Sequence, residues 1–307
     1  MITDAFARAF LRDRIGADAE IAVMRPGEWS TAYAVRTADT ELVARFSAYD
    51  EDFEKDAYAA RYSMADLPIP SIIEWGPAGD GYYAVAERMP GEHIDLLDER
   101  RMRAALPSLF AALDAMRAVD LSGASGYGGW RADGRTQYAT WRARLVGIAT
   151  EPATRGAADT LELLSEWPTG KHAFDAGHAR MLQLVDHCPE ERHLIHDDLI
   201  NYNVLVEGDR ITAVLDWGSS QYGDFLYDLA MLVFYQPWYP AWRTIDFAAE
   251  ARAHYERIGV AVPNFDERVL CYALGIGIGG IRYNIFRKRP QRIADNAARV
   301  MQLLGAP

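Results

Sequence analysis

The run His196-Asp197-Asp198-Leu199-Ile200-Asn201-Tyr202-Asn203 places an acid five residues ahead of an amide, and Asp216 follows in Val214-Leu215-Asp216-Trp217. Those residue types at those spacings can carry phosphoryl transfer. One carboxylate, Asp198, meets the hydroxyl that accepts the phosphoryl group, while the amide of Asn203 and the carboxylate of Asp216 hold magnesium beside the phosphates. Magnesium is a hard cation that takes one or two protein oxygens and fills its remaining positions with phosphate and water. Asn and Asp also open turns, so Asn203 alone says little. The three residues together say more.

A hairpin must bring the two metal-ligand candidates together. Between them run two β-rich apolar segments around Gly208-Asp209, the signature of a tight turn. With Glu207 opposite Arg210, Asn203 falls opposite Val214, and Asp216 emerges within a residue or two of Asn203.

The first ninety residues read as short strands, Glu20 to Met24, Ala32 to Arg36, Leu42 to Phe46 and Tyr82 to Ala86, with one helix from Phe53 to Met64. Between the first two strands, the segment from Arg25 to Ala32 has the composition of a phosphate-covering loop: Gly27 allows close approach of the backbone, and Ser30 or Thr31 can donate hydrogen bonds. A plain β-turn would use the same residues. On the third strand, Arg45 offers a permanent charge and a fork for phosphate oxygens. Its partner acid is expected on the following helix among Glu51, Glu54 and Asp56, of which Asp56 fits the helix pattern best. After Glu92 the pattern is mostly helical, with candidates at Glu99 to Val119, Phe174 to His187, Phe225 to Tyr235, Thr244 to Ile258, Glu267 to Phe286 and Gln291 to Leu304. Arg88-Met89-Pro90-Gly91 punctuates the change as a hinge, and the glycine-rich stretch from Ser122 to Arg135 reads as a loop. The expected product is an α+β protein of two lobes, residues 1–88 and 89–307, with the site in the cleft.

Composition agrees. The 307 residues are 50% hydrophobic and 25% charged, as in soluble globular proteins. A net charge of -12 disfavours a nucleic-acid surface and attracts a cationic small molecule. Cys188 and Cys271 form neither a disulfide framework nor a zinc motif. No apolar leader or bilayer-spanning run is read in the sequence, so a cytoplasmic monomer with no membrane partner is expected.

These residues also carry a resemblance. The chain resembles the aminoglycoside phosphotransferases of the kinase-like superfamily, and among them the hygromycin B phosphotransferases, from about Phe6 to Leu304. The similarity is strongest at Leu67-Pro68-Ile69-Pro70, Gln137 to Arg142, His193 to Leu205, Arg210 to Trp217 and Pro237-Trp238. It implies a protein-kinase-like fold with a small β-rich N-lobe and a larger, mostly helical C-lobe. It further implies ATP or GTP and Mg2+ as cofactors, Asp198 taking or orienting the acceptor proton, Asn203 and Asp216 on magnesium, and Arg45 on the nucleotide phosphates. The Ala86 to Met89 backbone, with Glu87 and Met89, would face the purine, and His196 would be structural.

One residue departs from the family pattern, which usually has a small residue between the His and the catalytic Asp. Here it is Asp197, and only Asp198 has the required spacing to Asn203. Asp197 is assigned to the surface that receives a cationic acceptor. Tyr235, Trp238, Tyr239 and Trp242 form an aromatic cluster that can line the same pocket or belong to the core, and Asp224 and Asp228 read as helix caps. Too few residues separate Asp216 from the next helix for an activation loop. The expected activity is Mg-dependent transfer of a nucleotide γ-phosphate to an aminoglycoside hydroxyl, with hygromycin B the acceptor the resemblance implies. The alternatives are a kinase of choline, homoserine, a macrolide or a sugar amine, or a nucleotide-binding pseudokinase.

Overall fold

The computed structural model describes residues 2–25, 27–131, 133–150 and 160–305; Pro26 of the expected phosphate loop and Ala132 of the expected 122–135 loop lie outside them. In chain order the elements are α1 (Asp4–Ile15), β1 (Glu20–Val23), β2 (Ser30–Arg36), β3 (Glu41–Ser47), α2 (Glu51–Ala59), β4 (Ile72–Ala78), β5 (Gly81–Glu87), β6 (Glu92–His93), α3 (Glu99–Ala118), β7 (Tyr127–Trp130), β8 (Thr136–Tyr138) and α4 (Trp141–Gly147). After these come α5 (Thr160–Leu163), α6 (Pro168–Leu184), β9 (His193–Ile195), β10 (Val204–Glu207), β11 (Arg210–Val214), β12 (Gln221–Gly223), α7 (Leu226–Tyr235), α8 (Phe247–Arg257), α9 (Phe265–Phe286) and α10 (Pro290–Leu303).

An antiparallel sheet of order β1-β2-β3-β5-β4 builds the N-lobe. Strand alternation buries Ala44 and Phe46 of β3 on one face, where Ala7 and Leu11 of α1 join Tyr33, Val35, Tyr83 and Val85 in a separate core. Arg45 therefore points to the other face. Two N-lobe elements depart from the sequence reading. The first residues form α1, whose start is capped by the Thr3 hydroxyl accepting from the Phe6 N–H at 3.2 Å, and β4 is an additional strand whose isoleucines sit at a half-exposed sheet edge.

In the C-lobe, α9 packs against α6, α7 and α10. Its glycines permit that closeness: a Cβ on Gly277 would lie 2.5 Å from Val300 and 2.7 Å from Phe234. By length and composition α9 could cross a membrane, yet most of its apolar window is buried inside the fold. The expected 122–135 loop instead contains β7, in a small sheet of order β8-β7-β12-β9. Helix starts shift where capping decides them. Asp246 accepts from the Ala249 N–H at 2.9 Å and starts α8 at Phe247, whereas Pro168 and Pro290 occupy the first turns of α6 and α10, where a missing N–H costs nothing. The two cysteines are free; the Cys188 thiol donates to the Leu184 carbonyl at 4.0 Å and the Cys271 thiol to the Met181 carbonyl at 3.8 Å.

The lobes are not separate at α2. Ala59, Leu67 and Ile69 precede the hinge in sequence but belong to the large C-lobe core. The 88–91 segment is held by the β10–β11 hairpin. The Thr212 hydroxyl donates to the Pro90 carbonyl at 2.5 Å, and Gly91, at φ 120°, leaves no room for a Cβ beside Val206 and Thr212.

Candidate active site

The hairpin that joins the metal-ligand candidates forms, with a corrected register. Glu207 pairs with Arg210 as the turn residues require, but Thr212 is an extra residue, so Val204 rather than Asn203 lies opposite Val214. Asn203 then pairs with Leu215, whose N–H donates to its carbonyl at 2.7 Å. The bulge brings Asp216 one residue closer to Asn203 than a regular hairpin would.

Around this hairpin the backbone takes a left-handed conformation at four residues that are not glycine: Asp197 (φ 61°), Asn201 (75°), Tyr202 (70°) and Asp216 (59°). Each such residue costs roughly 1–2 kcal/mol and persists only where its surroundings over-determine it. A carboxylate stands at each place. Asp228 accepts from the His196 and Asp197 N–H groups, both at 2.8 Å. Asp95 accepts from those of Asn201 and Tyr202 at 2.9 and 3.0 Å. Asp56 accepts from the Trp217 N–H at 2.7 Å. Asp228 is thus a brace rather than a helix cap. Asp224 does cap α7, accepting from the Leu226 N–H at 3.2 Å, while its oxygens also take the buried Arg268.

Asp198 hangs from this frame between two amides. Asn201 Nδ2 donates to one carboxyl oxygen at 2.6 Å, and Asn203 Nδ2 donates to the other at 3.1 Å and to the Asp198 carbonyl at 2.7 Å. Burial raises Asp198 well above the usual carboxylate range; the Asn201 bond opposes that, and the charges of Asp216 and Asp197 reinforce it. A carboxylate so held accepts a proton readily. His196 does not titrate with it. Burial pushes its imidazole down to about 4, and its bonds assign the tautomer: Nε2–H donates to the Leu215 carbonyl at 2.8 Å, and Nδ1 accepts from the Asp198 N–H at 3.2 Å. The ring ties the 196–203 loop to the residue that precedes Asp216.

The donor set suits magnesium. Asn203 commits its amide nitrogen to Asp198, which leaves its oxygen for a cation, and Asp216 presents a carboxylate that is 46% exposed. Among the described residues no group of three or more His, Cys, Asp or Glu could hold a metal ion; magnesium takes one or two protein oxygens and completes its shell with phosphate and water. Arg45 reaches the same place: its guanidinium pairs with Asp56 and lies 3.9 Å from Asp216. Burial works against the Arg45 charge, but Asp56 and Asp216 outweigh it and hold the group above its ordinary value. Burial also raises Asp56; we take it as ionised, because both its oxygens accept hydrogen bonds, from Arg45 and Trp217.

The remaining expected residues lie at different distances from the chemistry. Gly27 closes a tight turn, its N–H donating to the Ser30 carbonyl at 3.1 Å, but Ser30 and Thr31 already belong to β2, paired with Ser47 and Phe46. The loop is therefore shorter than its composition implied. Glu87 ends β5, and Met89 follows in the 88–91 segment, next to the bond from the Arg88 N–H to the Glu41 carbonyl. Asp197 turns away from Asn203; one of its oxygens accepts from Gln221 Nε2 at 3.0 Å, and Gln221 in turn accepts from Arg144 at 3.1 Å. Burial pushes Asp197 up to about 7 against the pull of Arg144 and Lys55. Tyr235 is raised above its ordinary value by burial and by the nearby Asp198 and Asp197 charges, and its ring meets Trp238 at 5.6 Å. The aromatic cluster divides here. Trp242 is core, and Tyr239 stacks on it at 4.0 Å while donating its hydroxyl to Asp95.

Residues 23–266 match the model of the phosphotransferase enzyme family. The chain belongs to that family. The phosphotransferase is 30% identical over 250 residues to hygromycin-B 4-O-kinase of Escherichia coli, a match spanning 77% of this chain and 68% of the relative. The crystal structure of aminoglycoside phosphotransferase APH(4)-Ia superposes with a TM-score of 0.84 at 26% identity, covering 99% of each chain. A thermostable mutant of that enzyme, in ternary complex with AMP-PNP and hygromycin B, gives 0.81 at 26% identity over 97% of each. Its small antiparallel lobe and large helical lobe place the phosphotransferase in the protein-kinase-like fold. Sequence reasoning did not single out four residues that hold the candidate site or its surroundings: Asp95, Lys55, Gln221 and Glu28. The first three bind backbone or side chains distant in sequence. Glu28 pairs with Arg287 at 3.0 Å and Arg289 at 2.6 Å, latching the β1–β2 turn to the end of α9; the basic run Arg287-Lys288-Arg289 was the available signal.

Proposed function

We propose that this phosphotransferase moves the γ-phosphate of ATP or GTP to a hydroxyl of an aminoglycoside, with hygromycin B the first candidate. The observation that carries the reading is the Asp198 carboxylate held by two amides, with Asp216 delivered beside Asn203 by the hairpin. It is supported by relatives that act on or bind hygromycin B. Asp198 orients the acceptor hydroxyl and takes its proton. Asn203 and Asp216 are the magnesium ligands, and bound magnesium would neutralise the charge gathered on the phosphoryl oxygens. Arg45, fixed by Asp56, contacts the phosphates, and Gly27, Ser30 and Thr31 cover them. The backbone at Glu87 and Met89 faces the purine. Asp197, Tyr235 and Trp238 line the acceptor side, where carboxylates suit ammonium groups and aromatic rings suit sugar faces. The lobes divide at residues 88 and 89, and the enzyme works as a cytoplasmic monomer.

Transfer of this kind needs little covalent help, so positioning supplies most of the acceleration. Purified protein with ATP, magnesium and a panel of aminoglycosides should release ADP and yield phosphorylated hygromycin B. Preference for choline, homoserine, a macrolide or a sugar amine in the same screen would replace the substrate assignment. Asp198→Asn should retain nucleotide binding and lose turnover; unchanged turnover would remove Asp198 as the base.

A further inference from the structure

Lys55 carries a charge into the interior with no role in the chemistry described above. It is 9% exposed, and its ammonium donates to the Gly218 carbonyl at 2.8 Å and the Ser220 carbonyl at 2.7 Å, with the Trp130 ring 4.9 Å away. Those carbonyls belong to the short turn that immediately follows Asp216. The next residue of the same helix, Asp56, takes the Trp217 N–H of that turn and the Arg45 guanidinium. The helix and the turn touch directly: a Cβ on Gly218 would lie 2.6 Å from the Asp52 carboxylate. Upstream, Asp216 is anchored by Leu215, whose N–H and carbonyl are bound to Asn203 and His196. Its left-handed backbone is thus fixed from both sides; downstream the turn closes on itself through Ser220 and Trp217, and the groups that tie it to another element, Lys55 and Asp56, come from α2.

We propose that Lys55 is a positioning residue: by holding the two carbonyls after Asp216 it sets the direction of the Asp216 carboxylate, so that α2, Arg45 and the metal-binding turn act as one rigid unit. The proposal rests on the reading of Asp216 as a magnesium ligand. It accounts for a lysine at a position where burial drives its ammonium down to about 8 despite the charges of Asp52, Asp197, Asp56 and Glu51 around it. An apolar side chain would avoid that cost but would leave two carbonyls without their donor. It also gives a physical reason for the missing regulatory segment. The residues after Asp216 run through the clamped turn straight into β12, which is paired on both sides with β7 and β9.

The test measures metal binding apart from turnover. On the full chain, ADP affinity is measured by calorimetry without divalent metal, and Mn2+ affinity of the ADP complex by electron paramagnetic resonance. Lys55→Met should leave metal-free ADP binding within about twofold and weaken Mn2+ binding by about tenfold or more, the usual effect of losing a group that orients a metal ligand. Lys55→Gln, which keeps donors but not the charge, should recover part of the loss and carries the test if the methionine variant does not fold. Unchanged Mn2+ affinity in the folded variants would overturn the proposal, and so would a parallel loss of ADP and Mn2+ binding, which marks general loosening. Asp216→Asn is the control. If it leaves Mn2+ binding intact, the metal reading itself is wrong; if it weakens Mn2+ binding while the Lys55 variants do not, only the positioning role is wrong.

Discussion

Replacing Asp228 with asparagine should separate the activity of the catalytic loop from the stability of the fold. Asp228 is 1% exposed, and its two oxygens accept from the His196 and Asp197 N–H groups at 2.8 Å. Burial pushes its carboxyl from an ordinary 3.8 up to about 6, against the pull of those two bonds. Keeping it ionised at neutral pH therefore costs about 3 kcal/mol, at about 1.4 kcal/mol per tenfold. The sign follows from proton binding. Between pH 4 and 6 the folded state holds this proton more tightly than the unfolded chain, so this contribution to stability is complete below about pH 4 and is lost as pH rises through 6. Asparagine has the same shape and no charge to bury, but it offers one oxygen and turns an amide nitrogen toward the other N–H. The unsatisfied donor costs about 1–3 kcal/mol, which nearly offsets the relief. The melting temperature of Asp228→Asn should then stay within about 4 °C of the parent, and the loss of stability between pH 4 and 6 should shrink. The catalytic loop fares differently. With one brace gone and the strain at Asp197 free to relax, about 2.7 kcal/mol acts against the active geometry, and kcat should fall by about a hundredfold. An ADP-release assay with hygromycin B reads kcat, and differential scanning calorimetry reads stability. A kcat within about threefold of the parent would refute the bracing argument, and a fall in melting temperature of about 10 °C would show that Asp228 supports the whole fold instead.

Three further outcomes follow from the same geometry. Asp95→Ala removes the acceptor for the Asn201 and Tyr202 N–H groups and the Tyr239 hydroxyl; kcat should drop by about tenfold to a hundredfold, with faster amide hydrogen exchange at residues 201 and 202. Glu28→Gln loosens the latch to Arg287 and Arg289; the pairs are half-exposed and worth about 1 kcal/mol at most, so nucleotide KM should rise by about fivefold or less and become less sensitive to added salt. Asp197→Asn keeps a residue that tolerates the left-handed backbone but removes the charge; acceptor KM should rise while nucleotide KM and the melting temperature hold, and steady-state kinetics with each substrate varied in turn would expose a rise in both.

The convergence of Asp198, Asn203 and Asp216 was legible because the segments that carry them are local in sequence. Asp198 and Asn203 share one loop, and the Gly208 turn returns the chain to Asp216, so spacing alone predicts that they converge. Arg45 and Asp56 were also readable, through strand alternation and a single helix face. What could not be read was the register of the hairpin. An extra residue at Thr212 leaves no mark in the apolar pattern, and its reason is spatial, the bond to Pro90 across the hinge. Helix α1 was missed because its apolar residues meet the sheet along a narrow stripe of Ala7 and Leu11. Asp95 and Lys55 sit on other elements, and nothing in their own neighbourhoods indicates which backbone they will meet.

Asp197 remained the odd member of the motif, and its backbone explains part of it. The residue between His196 and Asp198 must turn left-handed for Asp228 to collect both N–H groups. Glycine does so freely, and Asp and Asn do so more readily than most other residues, though still at a cost. A glycine and this aspartate would thus satisfy the same backbone requirement. Aspartate adds a carboxylate that Gln221 receives, beside Asp198 and near Tyr235. That carboxylate has a consequence that glycine would not: burial pushes it up to about 7, so its charge changes near neutral pH. If it receives an ammonium group of the acceptor, acceptor KM should fall as pH rises through 7, and Asp197→Gly should abolish that dependence while leaving the loop geometry, and therefore kcat, close to the parent. Retention of the same pH dependence in the glycine variant would assign it to another group and return Asp197 to a purely conformational role.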